Sequence, residues 1–278
     1  MSMKQSVAVG LALLGVLTAG GAVGASESDA CKGLPSHSAL RDALIAAQGL
    51  PNGGFGLEMW ATVVNRDGVV CAVAFTGGDR GDQWPGSRVI SAQKANTANL
   101  FNLDPSSAAN SSGAAAGLAL STANLYAPTQ PGGSLYGLQE SNPVDATVAY
   151  RGPSNRWGTS QDPMNGRKLG GVNVFGGGLG LYDVGHKLIG GVGVSGDTSC
   201  ADHNIAWRVR NSLGLDHMAP SQPLPAVGGV SGDSTRPDNI VFDITANPAG
   251  GTGTSAGGFG HPSCANTAGS ATLPVVQP

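Results

Sequence analysis

The stretch Ser195-Gly196-Asp197-Thr198-Ser199 lies between a run of small apolar residues, Ile189-Gly190-Gly191-Val192-Gly193-Val194, and a segment with helical spacing that starts at Ser199. A Gly-rich turn that leads into a helix leaves backbone N–H groups without partners beside the positive end of the helix dipole. Such a place suits a carboxylate or phosphate, with Ser195, Gly196, Thr198 and Ser199 as contacts. The alternative is that the hydroxyls of Ser195, Thr198 and Ser199 satisfy those donors themselves, as capping residues do. Asp197 and Asp202 oppose an anion here, so a cation has to assist. Arg88 and Lys94 are the candidates. Lys94 stands among Ala92, Ala95 and Ala98, which leaves it free either to point into a pocket or to lie in solvent as most lysines do. His203, in the first turn of the same helix, has the chemistry of an axial iron ligand or of an acid–base group, against the plainer reading of an exposed histidine.

Other catalytic arrangements fail on spacing. Gly193-Val194-Ser195-Gly196-Asp197 ends in Asp where a nucleophile elbow needs Gly. There is no P-loop, no H-E-x-x-H and no EF-hand loop, and carboxylates such as Glu58 and Asp67 are too scattered for glycoside chemistry. The four cysteines contain no C-x-x-C pair, so neither a thiolate zinc site nor thioether-bound haem is expected.

The elements that position these residues follow from periodicity. Residues 37–48 have apolar positions Leu40, Leu44 and Ala47 on one helical face. Residues 57–64 and 69–75 are β-rich and flank Asn65-Arg66-Asp67-Gly68, a hairpin signal. The loop 76–85 leads to a helix over 87–103, and Asp104-Pro105-Ser106-Ser107 separates it from an Ala-rich helix over 108–125. Trp84, Phe101 and that second helix are the expected apolar walls of a pocket. Residues 127–170 read as an ordered insertion. Strands are expected at 171–175, 179–182 and 187–194. In the final helix Ser199 and Asp202 have capping-box spacing, Ile205, Val209 and Leu213 form the buried face, and Arg208 and Arg210 lie outside. Beyond 214 Pro, Gly, Ser and Thr dominate, with one strand expected at 239–244.

The amino-terminal layout is Lys4, an uncharged apolar run from Val7 to Val23, and Val23-Gly24-Ala25. It reads as a secretory signal cleaved after Ala25, giving a periplasmic or secreted protein with no stable membrane insertion afterwards. The expected organisation is signal peptide 1–25, domain 26–214 and C-terminal extension 215–278. Taking Lys4 from the 15 Lys and Arg leaves 14 against 18 Asp and Glu, about −4, which excludes nucleic acid as a natural partner. An even cysteine count in an oxidising compartment favours two disulfides over free thiols. Cys31 is expected to pair with Cys71, and Cys200 with Cys264.

The phrases Ile90-Ser91-Ala92-Gln93-Lys94-Ala95-Asn96-Thr97-Ala98, Gly170-Gly171-Val172-Asn173-Val174 and Ile189 to Gly196 resemble, in order and spacing across residues 37–214, the GlcG/HbpS-like family of haem-binding or haem-degrading domains. The resemblance implies an α/β domain with a central antiparallel sheet flanked by helices, a tendency to form homo-oligomers, and haem or a related tetrapyrrole as ligand. The insertion at 127–170, Cys200-Ala201-Asp202-His203 and the chain after 214 depart from the family pattern. Two functions stand. One is a non-covalent haem binder using Arg88, Lys94, the 195–199 turn and His203. The other is an enzyme acting on a small carboxylated or aromatic compound in the same pocket, with Lys94 or His203 as acid–base group.

Overall fold

The computed structural model describes residues 27–106, 117–265 and 269–278. The expected signal peptide 1–25 and the first half of the expected 108–125 helix lie outside them.

In chain order the main elements are the short helix α1 (Glu27–Ala30), α2 (His37–Gln48), β1 (Trp60–Asn65), β2 (Val70–Phe75) and α3 (Ser87–Leu100). Short helices α4 (Tyr126–Thr129) and α5 (Ala146–Ala149) follow, then β3 (Gly178–Tyr182), β4 (Leu188–Ser195), α6 (Ser199–Ser212), β5 (Ile244–Thr245) and β6 (Thr254–Ser255). β1 to β4 form one antiparallel sheet in the order β2-β1-β4-β3. Val63 pairs with Ala72 on one side and Val192 on the other, so β1 and β4 are the central strands. β1 is buried along its whole length, which explains why its residues do not alternate between apolar and polar. Its turn to β2 closes as the Asp-Gly pair implies: Gly68 takes φ 74°, and Asn65 Oδ1 accepts from the N–H groups of Asp67 and Val69.

One sheet face carries α3. The glycines of β4 make this possible, since a Cβ on Gly191 would meet the Ala95 carbonyl and one on Gly193 the Ser91 carbonyl. The other face carries α2 and α6, with Leu40, Leu44, Ile205, Ala206 and Val209 in the main core. α2 starts at Ser36, whose hydroxyl accepts from Ala39 N–H.

Several expected elements differ. Residues 171–175 form no strand, because Gly170 and Gly171 take φ of 68° and 78° and Asn173 N–H donates to the Thr97 hydroxyl rather than to a ladder. α3 ends at Leu100, where Asn102 turns back to donate to the Ala98 and Leu120 carbonyls. Leu103 bridges Leu118 and Ala119 bridges Gly229, so the described end of the expected Ala-rich helix is extended before a 3-10 turn at Thr122–Leu125. α6 is capped one residue early, by Thr198, whose hydroxyl accepts from Ala201 N–H. Within 239–244 only Ile244 joins a ladder, pairing with Ser255.

Arg210 is fully buried rather than outside, because Asp238 of the extension meets it at 2.6 Å. Arg208 is half-buried and donates to the Pro51 carbonyl. Met218, Val227, Leu273 and Val276, all beyond 214, enter the main core. Met164 and Leu169 of the 127–170 segment pack with Trp60 and Val73. Disulfides join Cys31 to Cys71 and Cys200 to Cys264, with Cα atoms 5.5 and 6.2 Å apart. No helix among the described residues is long and apolar enough to cross a membrane.

Candidate functional site

The first half of α3 and the turn from β4 into α6 enclose a cleft of ≈ 290 Å³. β4 delivers Ser195 to its floor, and Gly193 lets α3 lie close enough to deliver Lys94. Thr198 and Ser199 come from the α6 start, and Trp84, Ser87 and Ile90 from the entry to α3. Phe175 arrives through Gly176-Gly177-Gly178, where a Cβ on Gly176 would strike the Ser199 carbonyl. Trp84 is 52% exposed and Phe175 45% exposed, so two aromatic rings stand at the mouth.

The charges in the cleft are internally matched. Lys94 Nζ meets Asp202 Oδ2 at 2.7 Å and donates to the Val194 carbonyl at 3.0 Å. An ammonium has three donors, so one remains for the cleft. Asp202 Oδ1 accepts from Asp197 N–H. Asp197 in turn accepts from the N–H groups of Phe55, Leu57 and Thr198. The protein's own carboxylates therefore occupy donors that the turn was expected to offer a ligand. Burial lowers the Lys94 pKa against the opposing pull of Asp202, and burial raises that of Asp202 to about 6 despite Lys94. In both residues desolvation works against the charged form, and the contact between them works for it.

Ser87 is 1% exposed and its hydroxyl has no hydrogen-bond partner. Leaving a buried hydroxyl unpaired costs about 1–3 kcal/mol, so a polar group that reached Ser87 from the cleft would be stabilised there.

Of the residues singled out in the sequence, Lys94, Ser195, Thr198 and Ser199 line the cleft, as do Asp197, Asp202 and Trp84. Gly196 lies in the turn, where a Cβ would strike the Glu58 carbonyl. Arg88 is held elsewhere: it is buried, bidentate to Asp162 at 2.6 and 2.9 Å, and lies over the Trp157 ring. His203 is fully buried, its Nε2 between Asn239 Oδ1 and Ile240 N–H, and burial lowers its pKa to about 4. Phe101 packs with Leu120 and Val174 in a separate cluster. Ser87, Ile90 and Phe175 were not singled out. The triple glycine after Phe175 was the available signal, because such a run marks close backbone approach.

Residues 39–210 match the family described as haem degrading protein, HbpS-like. The chain belongs to this family. The order of the three phrases noted in the sequence thus reflects membership of the HbpS-like family. Two solved structures are similar at low identity. The crystal structure of the PduOC:heme complex is 20% identical, with a TM-score of 0.41, over 63% of this chain and 89% of that one. The crystal structure of Klebsiella pneumoniae protein ORFY is 23% identical, with a TM-score of 0.39, over 64% of this chain and 89% of that one. No curated protein matches the chain.

Membership of this family raises the question of whether the cleft suits haem. Its aromatic mouth suits the flat macrocycle, and Ser87, Lys94 and Ser199 suit a carboxylate. Its lining contains no His, Cys, Met or Tyr, the side chains that hold haem iron, so it fits the organic frame and not the metal.

Proposed function

We propose that this HbpS-like protein binds haem or a related tetrapyrrole non-covalently in the Lys94 cleft. The macrocycle rests on Trp84 and Phe175, and one carboxylate reaches Ser87, the free donor of Lys94 and Ser199. The observation that carries this reading is the combination of two exposed rings with the unmet buried hydroxyl of Ser87. At ≈ 290 Å³ the cleft is at the small end of ligand sites, so it grips one edge of the ring and leaves the rest against the aromatic mouth. The two disulfides support an oxidising compartment, periplasm or exterior, as the place of work.

Absorbance titration with haem and with iron-free protoporphyrin tests this. Both should saturate at micromolar concentrations with affinities within about threefold of each other, because the cleft supplies no iron ligand. Lys94→Ala should weaken both by about tenfold or more through loss of a charge-assisted contact. His203→Ala should leave the haem spectrum unchanged. No saturable change at micromolar haem sinks the proposal, and binding of haem without protoporphyrin shows that iron is held after all.

A second reading rests on the same pair. Lys94 and Asp202 sit at hydrogen-bond distance in a cleft with both pKa values moved towards neutrality, an arrangement suited to proton transfer on a small carboxylated compound. Turnover that Asp202→Asn abolishes while binding persists would favour it.

A further inference from the structure

The 127–170 segment and the chain beyond 214, two of the departures from the family pattern, meet at a second site. Ala127 N–H donates to the Gly260 carbonyl, and the Tyr126 ring packs on His261 with centroids 5.3 Å apart. Along this seam two cavities of ≈ 390 and ≈ 320 Å³ adjoin, sharing Ala127, Gln130, Thr252 and Gly253 as walls, so together they form one groove. The lining has no Asp, Glu, Lys, Arg or His, whereas three of the ten residues lining the Lys94 cleft carry charge.

Neutral hydrogen-bonding groups are instead abundant. Gln130 donates through Nε2 to the Tyr126 carbonyl, which leaves its Oε1 as an acceptor. Asn247 accepts through Oδ1 from Ala249 N–H, which leaves its Nδ2 as a donor. The side chains of Thr252 and Ser263 and the Tyr126 hydroxyl add groups that serve in both directions. Beside them stand the apolar surfaces of Tyr126, Ile244 and Pro262. Behind the Tyr126 wall His261 is 3% exposed. Its Nδ1 donates to the Pro262 carbonyl and its Nε2 has no partner.

We infer that this groove binds a neutral oligosaccharide. Sugar hydroxyls both donate and accept and so match amides and hydroxyls without requiring charge, while the C–H face of a pyranose lies against an aromatic ring. The two adjoining cavities, ≈ 390 and ≈ 320 Å³, have room for more than one sugar unit. The site is separate from the Lys94 cleft and does not depend on what that cleft binds.

The test uses the full oxidised chain in calorimetric titrations with maltotetraose, cellotetraose and chitotetraose, and with tetragalacturonate and a proline-rich decapeptide as contrasts. At least one neutral tetrasaccharide should saturate, and tetragalacturonate should bind more weakly than that sugar. Tyr126→Ala should weaken the sugar by about tenfold, whereas Tyr126→Phe, which keeps the ring, should stay within about threefold. Asn247→Ala should weaken it by about threefold or more. Circular dichroism and the unfolding midpoint establish that each variant is folded. Failure of all three neutral sugars to saturate, saturation by the peptide alone, or indifference to Tyr126→Ala in a folded variant each overturns the inference.

Discussion

Lys94 and Asp202 illustrate how burial sets the chemistry of single residues. With the Asp202 pKa at about 6, acidification through that value protonates the carboxyl and leaves the Lys94 charge unopposed in the cleft. A carboxylate-bearing porphyrin should therefore bind more tightly at about pH 5.5 than at about pH 7.5, by up to about tenfold, and Asp202→Asn should flatten the dependence. Weaker binding on acidification would refute the assignment. The fold limits the usable range. Burial lowers the pKa values of His203 and His261 to about 4, so each contributes stability that is full above its ordinary value of 6.5 and is lost as pH falls through about 4. Asp202, raised above its ordinary 3.8, contributes in the opposite sense, losing its part as pH rises through about 6. Lys94 and the 195–199 turn were legible in the sequence because charge among alanines and glycine before a cap are local patterns. Ser87 was not, since one serine at a helix start carries no signal until its neighbours leave it without a partner. Nor was the burial of Arg210, because Asp238 lies far along the chain and only the fold brings it to 2.6 Å.

At the level of elements, the contact between α3 and β4 is made of absent side chains. Gly193→Ala would drive a Cβ into the Ser91 carbonyl and the Ala95 amide, and should destabilise by about 1–3 kcal/mol while displacing Lys94 from the cleft. On the opposite face Ile205→Ala, at a fully buried position, should cost about 2–5 kcal/mol, and Leu213→Ala less because Leu213 is half-buried at the helix end. Denaturant midpoints of the three variants check this order, and an unchanged midpoint for Gly193→Ala would show that α3 can shift without cost. β1, β2, β4 and α6 were legible nearly to their ends because apolar runs and a period of four reflect burial directly. Residues 171–175 resembled a strand in composition, yet two left-handed glycines at their start prevent extension. The 117–125 segment resembled a helix in its small residues, yet Asn102 and Leu103 take its backbone groups first.

For the molecule as a whole, the chain after 214 is a structural component of the domain. Its residues enter the main core, and Cys264 is tied to Cys200 at the start of α6. Cys200→Ser with Cys264→Ser reopens a link across 64 residues, which should lower stability by about 4 kcal/mol if loop-closure entropy is the whole effect. Chemical denaturation under non-reducing conditions measures this, and an unchanged midpoint would mean that the extension is held by packing alone.

The strand order β2-β1-β4-β3 sets the tempo of folding. The β1–β2 and β3–β4 ribbons each join neighbours in sequence, so each closes only a short loop. The seam between β1 and β4 unites the two ends of the domain, so the intervening chain must be gathered before that contact yields any gain. Until the seam closes, each ribbon exposes an unpaired, apolar edge to every other copy in solution. Refolding is therefore a competition between one slow intramolecular closure and intermolecular strand pairing, and dilution favours the former.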